Sequence, residues 1–72
     1  MPDFDKSELG TICCALCSDA NRQYVAGNYA ISASLWDIVA KIEDSLGKRE
    51  EAIQSRKIAV SCWKSARAAK TS

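Results

Sequence analysis

Histidine is missing altogether from the 72 residues. Its absence removes the usual general base near neutral pH, the Ser-His and Cys-His nucleophile pairs, and every zinc site that draws on imidazole. Proline occurs once, at Pro2, so nothing after it interrupts a helix. The three glycines, Gly10, Gly27 and Gly47, stand alone, which excludes a glycine-rich phosphate loop. The uncharged run Leu9 to Ser18 is too short and too mixed to span a bilayer, and so is the longer one from Gln23 to Trp36. No stretch alternates with a period of two, so no strand is expected. The start, Met1-Pro2-Asp3-Phe4-Asp5, is acidic and has no apolar core of a signal peptide, which points to the cytoplasm. No carboxylate pair suggests acid–base catalysis, so a non-enzymatic protein without a cofactor is expected.

What is present is a helix-forming composition. Hydrophobic residues make up 47%, too many for a disordered chain. Much of that share is alanine, and the larger apolar residues are four Leu, six Ile, three Val and two Trp. An alanine-rich core suits helices that approach closely, but each residue buries little area, at roughly 25 cal/mol per Å². A chain of this length is one domain, residues 1–72, near the margin of independent stability. It leaves room for a second subunit to supply the remainder.

The spacing predicts an all-α, antiparallel three-helix bundle with helices at about 6–25, 30–46 and 48–69. Asp5-Lys6-Ser7-Glu8 has capping-box spacing, with Asp as the cap. Leu9, Ile12, Cys13, Leu16, Ala20 and Tyr24 follow at helical steps. Gly27-Asn28 ends this helix, with Asn28 placed to cap the next. The second helix shows an apolar face of Ile31, Leu35, Ile38, Val39, Ile42 and Leu46, against a polar face of Ser34, Asp37, Lys41 and Asp44. Gly47 stops it. The third carries Glu50 and Glu51 in its first turn and bases towards its end, both in accord with the helix dipole. Its stripe is Ile53, Val60, Trp63 and Arg67, with Ala52, Ala59 and Ala66 alongside. The closing Lys70-Thr71-Ser72 is expected to fray.

Trp36-x-x-Val39-Ala40, then Leu46-Gly47-Lys48-Arg49-Glu50-Glu51-Ala52-Ile53, then Ala59, resembles the helical hairpin of a tetratricopeptide repeat. The chain departs from that pattern at Glu43, where a large apolar residue is usual, and at Lys64, where a proline closes the repeat. Gly27 and Gly47 are also 20 residues apart, not one repeat of about 34. Three helices with Ala26-Gly27-Asn28-Tyr29 at the first turn are similar to the microtubule-interacting-and-trafficking (MIT) domain, over about residues 13–68. That resemblance implies a groove for short helical tails of partner proteins.

Charge is segregated. Residues 1–47 hold seven acids and three bases, and residues 48–72 hold seven bases with only Glu50 and Glu51 as acids. The imbalance fits helices that neutralise one another, or a basic surface for an acidic partner. On the third helix Trp63 shares a face with Arg56 and Arg67 at seven- and four-residue spacing, the pairing that interface hot spots use. Arg56, Trp63 and Arg67 are therefore the candidate partner-binding residues, for another protein offering a helical segment or an acidic surface. The bases of this helix are expected to spread around it and not to form a stripe, which disfavours nucleic acid. A second option is a small homodimeric regulator or inhibitor of the kind a phage or mobile element encodes. A third is a metal or redox site built from Cys13, Cys14, Cys17 and Cys62. Structural zinc sites use two C-x2–4-C knuckles, and only one is present here. Buried cysteine acting as a small apolar residue is the plainer account, and a cytoplasmic home disfavours a disulfide from Cys62.

Overall fold

A computed structural model describes residues 4–71, with side chains from Phe4 to Ala69. It holds three helices, α1 (Lys6–Val25), α2 (Tyr29–Ser45) and α3 (Arg49–Thr71), and no strand among the described residues. The all-α three-helix architecture expected from the spacing is thus present, with each boundary within two residues of expectation. The helix continues through Thr71 where fraying was expected, and Ser72 lies outside the described residues.

Local chemistry sets the helix ends. The Asp5 carboxylate accepts from the Glu8 amide at 2.8 Å, and the Glu8 side chain accepts from the Asp5 amide at 3.1 Å. This is the reciprocal capping box that the sequence signalled. The two turns are built alike. Gly27 has φ +86° and Gly47 has φ +78°. At the first turn the Gly27 amide donates to the Tyr24 carbonyl and the Asn28 amide to that of Gln23. At the second, Gly47 donates to Asp44 and Lys48 to Glu43 in the same registers. Each turn is a Schellman motif, which needs a left-handed residue that only glycine supplies without strain. Asn28 departs from expectation. Its side chain does not cap α2 but donates to the Gln23 side chain at 2.8 Å, tying the turn back to α1.

Packing is centred on α2, which lies against both α1 and α3, while α1 and α3 touch little. The molecule measures 43 × 20 × 20 Å. That is about two helix diameters across and somewhat longer than α3, whose 23 residues span about 34 Å.

The core is made of small side chains. Ala20, Ala33, Val39, Ala40, Ala52, Ala59 and Cys62 are buried, together with Ser32 and Ser55. The apolar face expected on α2 is only partly correct. Val39 is buried, but Ile31 and Ile38 are exposed, and Asp37 of the expected solvent face turns to α3. A helix packed on two sides needs two buried strips, and Ala33 and Ala40 form the second one. The acids Asp37 and Asp44 border that strip. The short side chains let the backbones approach, so the polar atoms inside must be paired locally. The Ser32 hydroxyl donates to the Ala20 carbonyl of α1 at 2.8 Å and meets Cys62 Sγ of α3 at 3.7 Å. The Ser55 hydroxyl donates to the half-buried Glu43 carboxylate. No buried side-chain nitrogen or oxygen among the described residues lacks a partner.

Candidate functional site

Seven residues make two helical turns, so positions 52, 59 and 66 share one line along α3, and 53, 60 and 67 share the next. The first line, Ala52, Ala59 and Ala66, with Ser55 and Cys62, is pressed onto α2. The second is left outside, with Ile53 49% and Val60 53% exposed, and Trp63, which lies between the two lines, is 40% exposed. The larger apolar side chains of α3 therefore border the seam without filling it.

Two polar ties mark the seam's edge. Asp44 of α2 forms an ion pair with Arg56 of α3. Asp37 accepts from Trp63 Nε1 at 3.4 Å. Moving seven residues back along α2 thus moves seven residues forward along α3, which is the register of an antiparallel pair. Trp63 and Arg67 line a shallow hollow of about 250 Å³ with Ala30 and Ala66. A neighbouring hollow of about 320 Å³ is lined by Ile53, Arg56, Lys57 and Val60.

The three residues singled out from the sequence therefore lie along one side of the α2–α3 pair. Arg56 is committed to Asp44, Trp63 is half-exposed with its ring edge tied to Asp37, and Arg67 flanks the same hollow as Trp63. Sequence inspection missed Asp37 and Asp44 as members of this surface. Their shared seven-residue spacing with Arg56 and Trp63 was the available signal. Of the bases expected to spread around the third helix, Lys70 has its side chain outside the described residues, and the others gather on one side. Arg49, Arg56, Lys57, Lys64 and Arg67 fall within an arc of about 120° at 100° per residue, the arc that carries Ile53, Val60 and Trp63.

The four cysteines do not form one group: Cys13 and Cys17 are hydrogen-bonded neighbours on α1, with Cys62 away on α3. Cys62 is buried beneath α2, Cys13 and Cys17 are half-buried, and Cys14 is exposed on α1. No group of three or more Cys, Asp or Glu side chains among the described residues is placed to hold a metal ion. Burial pushes the Cys17 thiol up to about 11, reinforced by the neighbouring Cys13. Burial, then the Glu43 carboxylate, raises Cys13 as well. Both are protonated near neutral pH, the opposite of an activated thiolate.

No helix among the described residues is long and apolar enough to cross a membrane. No known protein family, curated protein or solved structure matches the chain.

Proposed function

We propose that this chain is a non-enzymatic helical interaction module that binds a partner protein through the exposed row of α3 and the hollow it shares with α2. It would act as an adaptor, or as an inhibitor by occlusion. One observation carries the proposal: α3 seals its own fold with Ala, Ser and Cys and leaves Ile53, Val60 and Trp63 outside. Apolar burial near 25 cal/mol per Å² makes that arrangement costly to leave uncovered in so small a domain. The row is rimmed by arginine, and a tryptophan with arginine neighbours is the side-chain set in which interface energy concentrates. The tetratricopeptide-like spacing of the α2–α3 hairpin and the MIT-like three-helix plan belong to the same proposal.

The absence of histidine and the raised thiols of Cys13 and Cys17 speak for the non-enzymatic side of the proposal. The test is affinity capture followed by direct titration of the recovered partner. Trp63→Ala combined with Arg67→Ala should weaken binding by roughly tenfold or more while far-UV circular dichroism stays native. Equal binding by the folded double variant rejects the surface.

A further inference from the structure

The outer edge of α3 repeats, one residue further on, the pattern by which its inner edge holds α2. On the inner edge an alanine line (Ala52, Ala59, Ala66) is flanked by Arg56 and Trp63, seven residues apart. These two donors receive the carboxylates of Asp44 and Asp37, also seven apart, from an antiparallel helix. On the outer edge an apolar line of Ile53 and Val60 is flanked by Lys57 and Lys64, again seven apart. Ile53 and Val60 are exposed, and so are both lysines. Neither lysine forms an ion pair among the described residues.

From this repetition, and resting on the interaction-module proposal above, we infer that the outer edge of α3 receives an antiparallel amphipathic helix from a partner protein, with two acids seven residues apart that meet Lys57 and Lys64. Larger apolar residues on this edge set the incoming helix further from α3 than α2 lies, since Ile and Val replace Ala at the contact line. The matching stretch, Ile53 to Arg67, is about 21 Å long at 1.5 Å per residue, so about fifteen residues of partner helix cover it.

Charge selects the occupant. A second copy presenting the same edge about a two-fold axis would set Lys57 and Lys64 against Lys and Arg side chains, a like-charge arrangement. Asp37 and Asp44 are the one pair of acids seven apart within a helix of this chain, and both already face α3. The acids must therefore come from another protein.

The test uses the full chain and a synthetic helical peptide of about 21 residues, carrying Leu along one line and two Glu seven residues apart beside it. Two control peptides carry Gln or Lys in place of the Glu pair. Fluorescence anisotropy of the labelled peptides should show saturable binding of the Glu peptide. The Gln peptide should bind roughly fivefold more weakly at low salt, with the gap narrowing as salt screens the pairs. Lys57→Glu with Lys64→Glu should reverse the preference in favour of the Lys peptide. Val60→Ser should weaken every peptide while circular dichroism stays native.

Equal binding of Glu and Gln peptides, or no saturable binding of the Glu peptide below about 1 mM, overturns the inference. So does a preference unmoved by the lysine reversal. Sedimentation that finds a dimer dissolved by Val60→Ser would give the edge to a second copy instead. Binding to vesicles of anionic phospholipid, lost in Val60→Ser and without peptide binding, would give it to a membrane. If Trp63→Ala with Arg67→Ala still lowers binding of a natural partner while the lysine reversal does not, the helical occupant falls and the interaction module stands.

Discussion

Ser32 and Cys62 meet at 3.7 Å between Oγ and Sγ, at a point where all three helices are joined. The Ser32 hydroxyl donates to the Ala20 carbonyl of α1, and Cys62 belongs to α3. α1 and α3 make little other contact, so this buried polar atom stands in for an apolar one where the backbones are too close for more volume.

Ser32→Ala should cost about 1 kcal/mol, the net worth of one buried hydrogen bond. Ser32→Val should cost more, in the range of 1–3 kcal/mol, because the site is fully buried and has no room for branching. Urea denaturation ranks the two variants. A Val variant as stable as the Ala variant would mean that the junction is loosely packed.

Adjacent residues on α3 should respond in opposite ways. Ala59→Leu pushes a large side chain into the seam with α2 and should destabilise by 1–3 kcal/mol or somewhat more. Val60→Ser, one residue on, removes an exposed side chain and should stay within about 0.5 kcal/mol. Thermal melts of the two variants make the comparison. Comparable losses would place Val60 in a covered position, as in an undetected oligomer.

Gly27→Ala and Gly47→Ala should each cost about 1 kcal/mol. Nothing lies within 4 Å of a Cβ built at either position, so the cost comes from the positive φ alone. The turns sit in different helix connections and share no partners, so the double variant should lose the sum of the two. Denaturant midpoints at unchanged slope would confirm that only stability moved.

Alkaline pH should weaken the fold through α1. The Cys17 thiol ionises near 9.0 when unconstrained and at about 11 in the folded protein. A group raised on folding contributes fully below its unfolded value and loses that contribution as pH climbs through the folded one. Stability should therefore fall between about pH 9 and 11, and Cys17→Ala should flatten that part of the curve. Denaturation midpoints collected across the window, under reducing conditions, test it. A thiol reagent should label exposed Cys14 first and buried Cys62 last.

Much of the fold was legible in the sequence because its signals are local. Asp5 with Glu8 marks the first cap, Gly27 and Gly47 mark the turns, and periodic apolar residues mark the helices between. The inner and outer sides of the helices were less legible. Hydrophobicity alone assigns Ile31, Ile38, Ile53 and Val60 to the interior, yet all four are exposed. What decides the matter is how closely two backbones approach, and alanine lines are the trace of that distance. Ser34, Lys41 and Asp44 are exposed as their place on the polar face implied, while Asp37 is half-buried beside α3 for a related reason. A helix with two packed sides has little free surface, and a one-sided amphipathic pattern cannot describe it. Arg56, Trp63 and Arg67 could be grouped from their spacing on one helix, whereas their α2 partners required the tertiary register.

The division of α3 into an inner line of small residues and an outer line of large ones separates heredity of shape from choice of partner. Ile53 and Val60 can be exchanged without adding volume to the α2 seam, so recognition can drift or be redesigned on a constant scaffold. A library randomised at those positions should yield mostly folded members with altered binding. One randomised at Ala52, Ala59 and Cys62 should yield few folded members of any kind.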